Sequence, residues 1–236
     1  KQATRYERSI SLVDHGPGRR YVVDVFRVAG GQTHDFAIHG AGKEFSAGDA
    51  AWAKLDELGI TTAAGAKWIR EAAYRNMDGP ARVSWSENGK GVCLDLMGQP
   101  GTRLLRLAAP GARHRRDPWE KRELRILVAR RSGPANTFVS VLQPAGEGGP
   151  VFAVSEAPVR CEKGDARAVR VVGAGFEDLV VVGEATSAEG VTTCGELSFR
   201  GEMAFLSRLG GETTACLLNG SELRAGAIQL ASRPRI

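Results

Sequence analysis

RSISLVD (8–14), HGPG (15–18), YVVDVFRVAGG (21–31) and THDFAIHG (33–40) follow one another with almost nothing between them. Their alternation reads as three consecutive antiparallel strands. Ile10 and Leu12 point one way while Ser9, Ser11 and Val13 point the other. The turn His15-Gly16-Pro17-Gly18 joins a proline-fixed φ to glycine freedom. In the second strand Val22, Phe26 and Val28 share one face and Tyr21, Val23 and Val25 the other, so both faces are expected to be covered. Asp24 interrupts the first face and, if buried, needs partners. Gly30-Gly31 closes this strand, and Phe36 and Ile38 carry the pattern into the third.

The rhythm breaks over residues 41–81. GDAAWAKLDELG (48–59) and AGAKWIREAAYRNM (64–77) are rich in Ala, Leu, Lys and Glu and poor in β-branched residues, which predicts a helical or irregular insertion, with Asp49 as a cap and Gly59 as an end. Strand patterns resume in RVSWSE (82–87), GVCLDLMG (91–98), TRLLRLAAP (102–110), LRILVARR (124–131) and NTFVSVLQP (136–144), punctuated by glycine and proline. QPAGEGGP (143–150) marks a boundary, and shorter strands follow it. The reading is all-β: a large antiparallel β-sandwich over residues 1–149 carrying that insertion, then a small C-terminal β-sheet subdomain over 150–236.

The bulk composition agrees with a folded chain of this kind. In 236 residues, 42% are hydrophobic and 25% charged, which argues against disorder, and 30 glycines suit many short strands and turns. No apolar run approaches the roughly 20 residues of a membrane-spanning helix. The chain opens at Lys1 straight into a strand-like pattern and is expected to be a piece of a longer protein or a mature form. A net charge of +5 suits a polyanionic partner and equally a mildly basic protein without one. Cys93, Cys161, Cys194 and Cys216 form no CxxC pair, which argues against a zinc ribbon. Buried free thiols are expected, with a bridge between the later ones left open.

Few residues carry chemistry. No GxSxG elbow, HExxH pair or phosphate loop is present. His34 and His39 stand five apart on one strand, so an odd separation puts them on opposite faces and they cannot share a metal without a bulge. They remain weak catalytic candidates at a cleft edge, against the plainer reading of His34 as a histidine bonded to backbone. The segment 111–122 gathers Arg113, Arg115 and Arg116 around Trp119. Guanidinium forks pair with carboxylate or sulfate and an indole stacks on a sugar ring, so these four are the candidate substrate-binding residues, against a solvated loop anchored by Trp119. No metal site is expected in this chain.

Taken in order, RSISLVD–YVVDVFRVAGG–HDFAIHG, then SWSE with CLDLMGQPGTRL (93–104), then RRSGPANTFVSVLQP (130–144), then FEDLVVVG (176–183) and ELSFRGEMAFLSR (196–208) resemble the C-terminal β-rich region of heparinase II/III-like polysaccharide lyases. The resemblance implies an N-terminal α/α toroid followed by antiparallel β-sandwich domains. It also implies β-elimination on uronate-containing polysaccharides such as glycosaminoglycans or alginate, with periplasmic or secreted localisation. In that chemistry the uronate carboxylate is neutralised, the C5 proton removed and the leaving O4 protonated, with tyrosine and histidine as the usual acid and base. The family's His-x-His-x-Asp strand and AHN segment, which supply its β-domain histidine and zinc ligands, do not occur in this sequence. The expectation is therefore a chain inactive alone, with no cofactor of its own, zinc or another divalent metal belonging to the full-length enzyme. Its expected partners are the toroid and an acidic polysaccharide, with no nucleic acid and no membrane span. The alternatives are a non-catalytic acidic-glycan-binding module and a structural interaction domain.

Overall fold

The computed structural model describes residues 3–40, 42–48, 51–55, 69, 71–110, 123–146, 149–183 and 189–231. It is all-β, with no α-helix among the described residues, and none long and apolar enough to cross a membrane. Two compact units divide the chain: Lys1–Val13 with Tyr21–Val151, and Asp14–Arg20 with Phe152–Ile236.

The strands of the first unit are β1 (Arg5–Asp14), β2 (Arg20–Ala29), β3 (Thr33–His39), β4 (Glu44–Ser46), β5 (Ala53–Lys54), β6 (Ala72–Asn76), β7 (Ala81–Glu87), β8 (Lys90–Leu96), β9 (Arg103–Pro110), β10 (Glu123–Ser132), β11 (Ala135–Gly146) and β12 (Gly149–Pro150). They form two antiparallel sheets, one in the order β1-β2-β11-β8-β7-β4 with β12 beside β11, the other β3-β10-β9-β6-β5. Inward-facing Phe26, Phe138, Val83, Trp85, Leu94 and Leu96 of the first sheet meet Phe36, Leu104, Leu127 and Ala129 of the second. The Phe36 ring stacks on Phe138 at 5.8 Å, so the sandwich closes through aromatic contact between sheets. Trp85 is the largest side chain in this core; its Nε1–H donates to the Arg125 carbonyl at 2.7 Å and Phe45 meets its ring edge-on at 5.5 Å. Gly40 packs flat against it, where a Cβ would fall 2.5 Å from Trp85 Cγ, so only glycine fits there.

Asp24 is buried on β2 and finds its partner across the hairpin: Arg8 donates from Nε at 2.9 Å and from Nη2 at 2.5 Å. The alternation read for β1 holds, but its apolar row faces water. Tyr6, Ile10 and Leu12 are 79%, 63% and 66% exposed on an edge strand.

The helical reading of residues 48–59 and 64–77 is overturned wherever those residues are described. Ala53–Lys54 and Ala72–Asn76 are strands, β6 pairing β9 along its whole length. Alternation explains it: Ala72 and Tyr74 pack with Leu55 and Ile69 on Leu105, Leu107 and Val128 of the outer face of the second sheet, and that burial outweighs the helix propensity of Ala and Arg. Asp49 and Gly59 lie outside the described residues.

All four cysteines are free; Cys93 and Cys194 are buried as expected, whereas Cys216 faces solvent. Burial pushes the Cys93 thiol up to about 11, with the Asp95 carboxylate adding to the effect and Arg82 opposing it. The folded state therefore holds this proton more tightly than the unfolded chain. Its contribution is intact below the ordinary thiol pKa near 9 and is lost as pH rises towards 11. Unfolding titrations from pH 8 to 11 should show Cys93→Ala escaping an alkaline loss of about 2–3 kcal/mol that the wild type suffers. Equal alkaline slopes would refute this.

The second unit is one sheet. Its strands are β13 (Ala153–Glu156), β14 (Arg160–Cys161), β15 (Ala166–Gly173), β16 (Phe176–Gly183), β17 (Thr192–Cys194), β18 (Leu197–Leu209), β19 (Glu212–Ala225) and β20 (Ile228–Ala231), in the order β13-β15-β16-β18-β17-β14 with β19 and β20 continuing from β18. The expectation of shorter strands here fails. β18 and β19 run 13 and 14 residues, the longest of the described strands, and their ladder continues across a register shift at Arg200/Gly201. The tip His15–Gly18 of the N-terminal hairpin belongs to this unit: His15 Nε2 lies 2.7 Å from Oδ2 of the fully buried Asp178, and its ring packs on Phe176 at 4.7 Å.

Candidate functional site

A cavity of about 850 Å3 in the first unit opens at one end of the second sheet and is lined mostly by polar residues. Strand register builds it. Arg130 of β10 stands opposite Asp35 of β3 on one side and Arg103 of β9 on the other, and Arg103 stands opposite Asn76 of β6. Cross-strand partners share a face, so Asp35, Arg130, Arg103 and Asn76 form one row on the outer face of the sheet. Thr33, Ser132 and Asp78 extend the lining.

Two arginines directly opposite each other repel, and the row answers this unequally. Asp35 receives both Nε and Nη2 of Arg130 at 2.7 Å, a bidentate pair that raises the Arg130 pKa further above its ordinary value. Arg103 has no ion pair with any described residue; its guanidinium lies over the Tyr74 ring at 4.9 Å. It is exposed. The cleft thus holds one compensated and one available guanidinium, surrounded by hydroxyl, amide and carboxylate groups.

Its floor is fixed from below by Arg131, the inward-facing neighbour of Arg130. That side chain is only 3% exposed. It donates from Nε to Thr102 Oγ1 at 2.7 Å and from Nη1 to the Thr137 carbonyl at 2.6 Å and to Gln99 Oε1, while its guanidinium lies 4.3 Å over the Phe138 ring. The loop between β8 and β9 is pinned to the sandwich in this way, and its Gly101 and Thr102 line the cleft.

The two histidines separate as strand parity demands. His34 is buried; its Nε2–H donates to the Gly30 carbonyl at 2.7 Å, and Asn136 Nδ2 donates to its Nδ1 at 2.8 Å. The ring thus ties the Gly30 turn to the start of β11. His39 is exposed on the same face as Asp35, but four residues along the strand, about 13 Å away at a strand's rise. Neither lines the cleft. Arg113, Arg115, Arg116 and Trp119 lie outside the described residues.

Compared with protein-family models and with curated proteins, the chain matches none. The cleft must be read from its own chemistry. A planar fork ready for a carboxylate, ringed by groups that hydrogen-bond hydroxyls, suits an acidic carbohydrate. Among the described residues that line it, none is a histidine, lysine or tyrosine. The described residues include no group of three His, Cys, Asp or Glu placed to hold one, and His34 has no nitrogen to spare.

Proposed function

We propose that this chain is the β-sandwich region of a heparinase II/III-like lyase that cleaves uronate-containing polysaccharides by β-elimination, and that it contacts the glycan without catalysing the reaction alone. The observation that carries the reading is Arg103, an available guanidinium in a polar cleft beside the compensated Arg130. A uronate carboxylate takes its fork bidentately, and Asp35, Asn76, Thr33 and Ser132 accept from or donate to the ring hydroxyls. The ordered series of family-like strand segments supports the same reading. In the full-length enzyme the proton acceptor, the proton donor and any zinc or other divalent metal belong to the α/α toroid and preceding strands, with the protein periplasmic or secreted. A glycan-binding module outside any lyase would use the same cleft and remains the second reading.

Two measurements test it. Calorimetry with alginate or heparin oligosaccharides should give saturable binding that neutral glucans lack. Arg103→Ala should weaken it roughly ten- to a hundredfold, the value of a charge-assisted pair of about 1.5–3 kcal/mol. Unchanged affinity in that variant removes the cleft from the proposal. Absorbance of the unsaturated product should stay flat with this chain alone, and robust turnover would overturn the division of labour.

A further inference from the structure

A second cationic feature lies on the opposite, inward face of the same sheet. Arg75 stands opposite Leu104, Arg106 opposite Ala73 and Leu127, and Arg125 opposite Ala108. The three arginines therefore run diagonally across β6, β9 and β10, each one side-chain repeat beyond the last, with diagonal neighbours about 7–8 Å apart. Trp52, packed against the edge of the core, sits under two of them: the guanidinium carbon of Arg75 is 4.9 Å from its ring centre and that of Arg106 is 5.3 Å. A cavity of about 240 Å3, lined by Lys43, Phe45, Glu71, Arg106 and Arg125, opens beside them.

Among the described residues the cations here outnumber the carboxylates. Arg125 is paired with Glu71 and Glu123, and Lys43 with Glu87 at 3.1 Å. Arg75 and Arg106 have no ion pair with any described residue, although both are half-buried; Glu71, which bonds Arg125, also attracts Arg106 from beyond ion-pair distance. Burial lowers the Arg75 pKa, as it does for a guanidinium held away from water with no carboxylate to offset it. Two half-buried guanidiniums side by side, with one carboxylate near only one of them, are costly in a purely structural role. Contact with the indole restrains each guanidinium before any ligand arrives. A carboxylate has two oxygens and is satisfied by one fork. A sulfate or phosphate group has three or more terminal oxygens and takes both.

We propose that Arg75 and Arg106, stacked on Trp52 at the β5 edge of the sandwich, are a binding site for a tetrahedral oxyanion, either a sulfate or phosphate monoester on a larger ligand or the free ion. The site does not depend on the chain being part of a lyase, so the two readings fail separately.

The test titrates the whole chain with inorganic sulfate and with glucosamine 6-sulfate, at ionic strength held constant with chloride, by calorimetry and by indole fluorescence. Saturable binding is expected, weakened at least tenfold in Arg75→Ala and in Arg106→Ala, and less in Arg106→Lys, which keeps charge and loses the fork. Trp52→Phe should abolish the fluorescence change while heat is still released. Tighter binding of the sugar ester than of the ion assigns the ester as the ligand; equal binding assigns the free ion. Absence of saturation, wild-type affinity in the double alanine variant, a fluorescence change that survives Trp52→Phe, or equal affinity for glucuronate would each overturn the proposal. Circular dichroism on every variant confirms folding, and Arg106→Lys decides the matter if the alanine forms do not fold.

Discussion

Arg131→Ala should be the most damaging polar substitution in the sandwich, costing about 3–5 kcal/mol. The side chain is buried and hydrogen-bonds at once to the loop between β8 and β9, through Gln99 and Thr102, and to β11, through the Thr137 carbonyl. Truncation empties the space over the Phe138 ring and leaves those oxygens facing each other without a donor. Arg131→Met restores volume but no donor, so it should recover the packing share alone. Denaturant midpoints followed by a probe in the first unit give the value. Because Thr102 lines the cleft and is held by this guanidinium, oligosaccharide affinity should fall in parallel. A loss below about 1 kcal/mol would mean that water replaces the guanidinium without penalty.

Trp85→Ala should cost a similar amount, about 3–5 kcal/mol, for a different reason. Trp85 is 1% exposed and fills the core between Gly40, Phe45 and the backbone of β10. Gly40 cannot relax into the void, because a glycine has no side chain to move. Trp85→Phe retains the ring contact and loses the bond to the Arg125 carbonyl, so it should cost about 1–2 kcal/mol. A chain of two compact units need not unfold in one step. Hydrogen exchange at the amides of β7 and β8 therefore gives a cleaner readout than a single melting midpoint. Protection there that matches the wild type in Trp85→Ala would refute the assignment of Trp85 as the centre of this core.

The strands around the N-terminal hairpin were legible because their apolar residues alternate and glycine marks their ends. β6 was not, since Ala-Ala-Tyr-Arg-Asn has the composition of a helix and gains its identity only from β9 beside it. The cleft was hidden for a related reason. Asp35, Asn76, Arg103 and Arg130 are scattered along the sequence, and only the pairing of four strands sets them in a row. Asp35 carries no signal of its own in the sequence, whereas strand parity, which separates His34 from His39, follows from their spacing alone. The same limit applies to Arg75 and Arg106, ordinary surface arginines until Trp52 is placed under both.

The position of His15 bears on how the molecule assembles. Its partner Asp178 is 163 residues further along the chain. A ribosome delivers the hairpin tip early and the sheet that contains Asp178 late. The C-terminal sheet thus cannot complete its interior until it recaptures a turn made 163 residues earlier, a closure of long sequence separation that slows folding. Synthesis from one end does not yield one finished unit and then another; the order of manufacture and the order of completion differ.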